Sequence, residues 1–407
     1  MTRAGVAVRR VVTCDPAHAT ADDPLGVLTD AVVVHEGGVI RWLGARANAP
    51  VDVAVVDYGD RVVTPGLVDA HTHAAWVGSR HDEYAMRMAG ADYRAIAAAG
   101  GGIVSSHRAV MAATEEHITT TLEQRLRRMA SLGVTTCEVK SGYGLLPEEE
   151  KKQLRAMTKA HARDDLPRLV RTFLALHALP PSERVRRDEY VRHVAHTLIP
   201  EVVREGLADF VDAYVDANAF TIDEARLVCG EAKKHGLGIR LHVGQFADVG
   251  GAELAAELGA HSADHLEHVG SEGIAALAKA KVAAILLPTA SFTLGQSPPP
   301  VAALRDARVA LVVASDANPG TAPTESLPLA MALAVRNYGV SPSEAILGAT
   351  RHAAESLTKT RTPEYGALRI GAAADFVVWD LPHENAIVQP WGLARTNTVM
   401  RAGRRIA

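Results

Sequence analysis

From residue 64 to 365 short apolar runs alternate with stretches long enough for a helix. The runs fall at 67–69, 135–140, 169–175, 210–214, 239–242, 262–266, 283–287 and 310–314. They are nearly continuous in hydrophobicity, with no strict apolar/polar alternation, as expected of strands buried on both faces in a parallel sheet. The intervals carry a different period. Residues 115–132 place Ile118, Leu122, Leu126 and Met129 three and four apart, and 148–162 opens just after Pro147, a residue suited to a first helical turn. Eight such units predict an α/β fold, a distorted (β/α)8 TIM barrel spanning 64–365.

The ends of the chain read differently. Runs at 5–13, 30–34, 39–43 and 51–57 are broken by Asp, Gly and Pro, and the pattern returns as a turn at 366–371 followed by strands at 374–380 and 398–403. Both ends are expected to share one sheet, giving a small composite β-sandwich domain from 1–63 and 366–407. No repeat or low-complexity linker divides the chain, and Pro298, Pro299 and Pro300 read as a stiff loop.

Chemistry gathers at the carboxyl ends of the predicted strands. The first runs into His71-Thr72-His73, and alternate residues of an extended segment face the same way, so both imidazoles can reach one ion. With 18 histidines present, about one His-x-His is expected by chance, so the pair alone is weak. Its position matters more. His242 closes the fifth strand, His265 the sixth, and Asp316 follows the eighth. Any one of these suits a packed, hydrogen-bonded core residue, but together they form the ligand set of a mononuclear hydrolytic site. His193, His196 and His268 make further His-x-x-His spacings that chance accounts for, and receive no role.

Composition narrows the setting. A net charge of −4 offers no electrostatic attraction for nucleic acid or an anionic membrane, and no run of 18 apolar residues occurs. Cys14, Cys137 and Cys229 are odd in number and far apart, which argues against a disulfide framework and a cysteine zinc knuckle. A soluble cytoplasmic protein is expected.

Several segments are far more specific than the histidine pair. They are 65–73, 78–84 with Gly78-Ser79-Arg80, 99–103, 138–145 with Lys140-Ser141-Gly142-Tyr143-Gly144-Leu145, 177–181, 250–254, 262–267, and 315–321 with Asp316-Ala317-Asn318-Pro319-Gly320-Thr321. Through them the chain resembles, nearly end to end, the imidazolonepropionase family of the amidohydrolase superfamily. That resemblance implies hydrolysis of the cyclic amide C–N bond of 4-imidazolone-5-propanoate to N-formimidoyl-L-glutamate in histidine degradation. It implies one Zn or Fe ion held by His71, His73, His242 and Asp316. Asp316 is expected to take a proton from water and pass it to the departing ring nitrogen, and His265 to polarise the carbonyl. Arg80, Tyr143, His177, Gln245, Asn318, Gly320 and Thr321 are implied to contact substrate or product, Arg80 by gripping the propionate carboxylate bidentately. Lys140 ends a strand where binuclear relatives carry a bridging lysine, but is expected here as a salt-bridged structural residue. The implied assembly is a homodimer acting on a small molecule.

The chain also departs from the family pattern. Gln245 is neutral where superfamily deaminases have a glutamate able to shuttle a proton, so it is expected to orient the ring through its amide. Val243-Gly244 and the segment 289–293 also differ from expectation. The alternatives are a deaminase or iminohydrolase acting on another heterocycle or formimino substrate, and a non-catalytic scaffold. Ammonia release marks the first and an empty metal site the second.

Overall fold

The computed structural model describes residues 3–91, 96, 100–358, 362–389 and 393–407. Ala99, the first residue of the 99–103 segment, lies outside the described residues.

The chain begins in a sheet of β1 (Ala4–Val12), β2 (Val27–Glu36), β3 (Val39–Ala45), β4 (Ala54–Asp57) and β5 (Val62–Pro65), which the carboxyl end joins later with β14 (Phe376–Trp379), β15 (Thr396–Arg401) and β16 (Arg404–Arg405). One sheet supplies both layers expected of the terminal unit. It forks at β1, whose residues 4–7 pair with β4 while residues 10–11 pair with β5. The β3 edge then meets the segment leading into β14, as the Ile40 N–H donates to the Ala372 carbonyl at 2.8 Å and the Ala374 N–H to that of Gly38 at 2.8 Å. Val8, Val33, Ile40, Val63, Phe376 and Val378 fill the enclosed core. β5 continues through Pro65, so the sheet includes two residues beyond the expected boundary at 63.

Between these ends lies a parallel eight-stranded sheet, ordered as in the sequence: β6 (Leu67–Asp69), β7 (Val134–Lys140), β8 (Arg168–Leu176), β9 (Phe210–Val215), β10 (Gly238–Val243), β11 (Ser262–His265), β12 (Ala283–Leu286) and β13 (Leu311–Val313). The barrel seam closes past the strand ends, where Thr72 bridges to Ala317 and the Asp316 N–H donates to the His71 carbonyl at 3.0 Å. Thr114 caps the helix Glu115–Ser131, whose Ile118, Leu122, Leu126 and Met129 are all buried. Each such side chain contributes about 1.5–3 kcal/mol of burial. Trp379 joins the two parts, its Nε1 donating to Thr64 Oγ1 at 2.9 Å while its ring lies in the main core.

Strand alternation sorts the barrel residues. On β10, Ile239, Leu241 and Val243 join the core shared with the helices, leaving Arg240 and His242 to the interior. On β7, Cys137 and Val139 do the same and leave Glu138 and Lys140. One part of the interior is apolar, with Val68, Val170, Phe210, Ile285 and Val312 in contact. The part nearer the strand carboxyl ends is charged, and it faces the site.

Candidate active site

His71 and His73 lie in an extended segment pinned on both sides. The Lys140 N–H donates to the Thr72 carbonyl at 2.9 Å on one flank, and the His73 N–H donates to the Ala317 carbonyl at 3.0 Å on the other. The pinning directs both rings to one centre. His73 Nε2 is 3.4 Å from His242 Nε2 and 3.5 Å from Asp316 Oδ1, which is also 3.5 Å from His71 Nε2. Two ligands about 2.1 Å from a tetrahedral ion stand about 3.4 Å apart, so these spacings are those of a cation's ligand shell. His71 Nε2 is buried with no hydrogen-bond partner among the described residues. His265 also approaches, its ring forming a second close group with His71 and His242. The structure thus gathers all five side chains expected at the strand ends.

The donor set has the protonation that metal binding needs. Burial, together with nearby Lys140 and the other histidines, holds His71 well below the usual imidazole range, and burial with His177 and His242 does the same for His73. Neutral imidazoles are the ligating form. Asp264 Oδ2 accepts from His71 Nδ1 at 2.6 Å, and Asp212 Oδ2 lies 3.0 Å from His242 Nδ1, which turns each Nε2 toward the centre. Burial pushes Asp316 up to about 7. A neighbouring cation would reverse that penalty.

Beneath the ligands, Lys140 Nζ pairs with Asp212 at 2.8 Å and Glu138 at 2.9 Å, with Asp264 at 3.7 Å. Arg240 lies beside Glu138 and Asp264 and donates to the Ala70 carbonyl. All five are fully buried. Although burial works against it, Asp212 and Glu138 raise Lys140, so it stays an ammonium, as its salt-bridged reading expects.

A cavity of about 480 Å³ opens above the histidines, lined by Arg80, Tyr143, His177, Gln245, Asn318 and Thr321 among others. His177 stacks on His73 with centroids 5.3 Å apart, and Nδ1 donates to the Gly142 carbonyl at 2.7 Å. Burial brings His177 down to about 3, so the ring is neutral and its Nε2 is able to accept a hydrogen bond. The Tyr214 hydroxyl donates to Gln245 Oε1 at 2.9 Å, which leaves the Gln245 amino group to donate elsewhere. Asn318 is committed to its own loop. Its Oδ1 accepts from the N–H groups of Gly320 and Thr321 at 2.8 Å each, and its Nδ2 donates to the Asp316 carbonyl. Arg80 donates through both Nε and Nη2 to Glu83 Oε2, at 2.9 and 2.7 Å. Gly320 packs so closely on that guanidinium that a Cβ there would overlap it.

Three non-glycine residues at the site have left-handed backbone: His265 (φ 83°), Leu266 (φ 68°) and Asp316 (φ 55°). In a regular strand Asp264 and His265 would face opposite sides. The positive φ lets Asp264 hold His71 while His265 enters the same site. Glu267 Oε2 stands 3.6 Å from His265 Nδ1, and its other oxygen accepts from Ser291, which accepts from Tyr338. Against the cost of burial, Glu267 raises His265 above the ordinary histidine value.

Sequence reasoning assigned no role to Asp212, Asp264, Glu138, Arg240, Glu267, Tyr214 or Arg87. A signal existed for the carboxylates, since Glu138, Asp212 and Asp264 interrupt predicted buried strands, where a charge requires a partner.

A barrel with this histidine and aspartate centre defines a class, and the amidohydrolase family model matches residues 62–406: the chain belongs to that family of metal-dependent hydrolases. Within it the chain falls among the imidazolonepropionases. It is 42% identical to the imidazolonepropionase of Polaromonas sp. (strain JS666) over 395 residues, 96% of this chain and 92% of that protein. The Caulobacter vibrioides imidazolonepropionase is 43% identical over 373 residues, 90% and 92% of the two chains. Solved structures are more distant. A zinc-bound adenosine deaminase from Xanthomonas campestris superposes with a TM-score of 0.74 at 18% identity, covering 99% of this chain and 92% of its own. The zinc complex of an atrazine chlorohydrolase from Arthrobacter aurescens gives 0.70 at 16%, covering 98% and 94%. At these identities they show the fold alone. Among the described residues no helix is long and apolar enough to cross a membrane.

Proposed function

We propose that the chain hydrolyses the ring amide C–N bond of 4-imidazolone-5-propanoate to N-formimidoyl-L-glutamate. One Zn or Fe ion per subunit would be held by His71, His73, His242 and Asp316. The observation that carries this is the convergence of those four side chains at ligand spacing beneath a cavity rimmed by arginine. A bound ion would supply Lewis-acid activation of water and carbonyl.

The remaining work belongs to the side chains. Asp316 accepts a proton as water attacks the ring carbonyl carbon. It returns that proton to the ring nitrogen as the C–N bond breaks, so the nitrogen leaves neutral. His265, whose protonated form Glu267 favours against the cost of burial, donates to the carbonyl oxygen as charge gathers there. His177 Nε2 accepts from a ring N–H, and the Gln245 amino group donates to an unprotonated ring nitrogen. Neutral Gln245 favours ring opening over deamination. Tyr143, whose ring centroid lies 5.8 Å from that of His73, packs beside the bound ring. The Asn318–Thr321 loop carries Asp316 and, through Gly320, lies against Arg80.

The test is the loss of imidazolone absorbance with purified protein, run beside an ammonia assay and metal analysis. Turnover without ammonia, by protein carrying about one equivalent of Zn or Fe, is expected. Ammonia release would replace this reading with a deaminase, and inert metal-free protein would replace it with a scaffold.

A further inference from the structure

We infer that Arg87 is a second anchor for the substrate carboxylate and shares that group with Arg80; this rests on the imidazolone propionate reading above. Arg80, Glu83 and Arg87 follow one face of the helix His81–Met88 and its N-terminal flank, at spacings of three and four. Arg80 and Arg87 both line the cavity. Arg80 has already committed its Nε and Nη2 edge to Glu83, and Gly320 is packed against its guanidinium. A carboxylate therefore cannot meet that edge as a fork. Arg87 is less committed. Its Nη1 donates to the Gly320 carbonyl at 3.1 Å, and among the described residues no carboxylate forms an ion pair with it.

Among the described residues, the guanidiniums of Arg80 and Arg87 with the Glu83 carboxylate leave an excess positive charge here. Arg87 is half-buried, and both burial and the neighbouring Arg80 work against its charge. Clamping one carbonyl needs only a neutral donor. A second cation beside Arg80 is explained by an anion arriving between them, and a short-chain carboxylate on the ring supplies one. Because Arg87 also touches Gly320, the captured carboxylate is tied to the loop that carries Asp316.

The experiment compares Arg87→Met and Arg87→Gln with wild type, using imidazolone propionate and its methyl ester, with metal content measured in each. Both variants should raise KM for the acid about ten- to a hundred-fold. Their kcat should stay within about three-fold, their metal content should be unchanged, and kcat/KM for the ester should stay within about two-fold of wild type. Glutamine keeps a donor for the Gly320 carbonyl, so a carbonyl clamp alone would be rescued in Arg87→Gln. Such rescue, or equal losses on acid and ester, overturns the inference, and the glutamine variant decides the matter if the methionine variant does not fold. Wild-type turnover with an unchanged KM in both variants overturns the inference alone. Absence of wild-type turnover removes the functional reading and this inference with it.

Discussion

Replacing Lys140 with methionine removes one charge from the barrel interior while nearly keeping the length of the side chain. The ammonium lies 2.8 Å from Asp212, 2.9 Å from Glu138 and 3.7 Å from Asp264, all fully buried, so Lys140→Met leaves three carboxylates with Arg240 as the remaining cation. Removing one partner of a buried pair typically costs about 3–5 kcal/mol. Proton uptake sets a ceiling. Holding one carboxylate neutral at pH 7, three units above its unfolded value near 4, costs about 4 kcal/mol at about 1.4 kcal/mol per unit. The expected loss at pH 7 is therefore about 3–4 kcal/mol, a large share of the roughly 5–15 kcal/mol that stabilises a typical protein. Its pH dependence has a definite sign. In wild type, against the effect of burial, His242 and Lys140 hold Asp212 below the usual carboxylate range, so Asp212 takes up no proton on folding near neutrality. The folded variant retains a proton that its unfolded chain releases above about pH 4, so its stability falls as pH rises. The deficit should shrink to about 1.5 kcal/mol near pH 5. Urea denaturation at pH 5, 6 and 7, with chelator in both samples, measures it. A deficit below about 1 kcal/mol at pH 7, or one that does not vary with pH, would refute the reasoning.

Asp316→Asn should keep the fold but lower kcat about a hundred- to ten-thousand-fold, since an amide cannot take the water proton; steady-state kinetics with retained thermal stability checks this, and near-normal kcat would assign the base elsewhere. Gln245→Glu should retain imidazolone hydrolysis within about ten- to a hundred-fold, because the proposed role is orientation and Tyr214 can still donate to a carboxylate oxygen. Complete inactivation with metal still bound would contradict that role. Burial pushes Glu150 up to about 7 even as it accepts from the N–H groups of Gly142 and Leu145. A carboxyl raised above its unfolded value near 4.5 favours the folded state at low pH, and that contribution is lost as pH rises from about 4.5 to 7. Glu150→Gln should flatten this slope in urea titrations at fixed pH, and an unchanged slope would show that Glu150 is ionised throughout.

The eight barrel strands were legible because continuous apolar runs bounded by helical periods can hardly be buried any other way, and each run lies within a residue or two of an observed strand. Histidine and aspartate at the strand ends were legible for a related reason. Barrel geometry brings all carboxyl ends to one face, so residues nearly 250 positions apart, such as His71 and Asp316, become neighbours wherever the pattern closes. Residue types alone therefore located the candidate centre and implied a mononuclear site.

What remained hidden depends on three-dimensional direction and on who partners whom. No pattern of hydrophobicity states that β1 forks between β4 and β5, because pairing depends on where the sheet edges meet. Nor does period-two alternation admit both Asp264 and His265 to one site; that requires the left-handed turn at His265, held by the surrounding barrel. Arg80 was readable as a cation near the ion, but its commitment to Glu83 and the presence of Arg87 beside it follow from the course of one short helix over the cavity. The buried lysine and carboxylates are the clearest division. Sequence could show that charges interrupt buried strands, whereas only the folded barrel decides that they neutralise one another and that two of them orient His71 and His242. Charge in a low-dielectric interior is stabilised by contacts at ångström range, and those are properties of the packing and not of the order of residues along the chain.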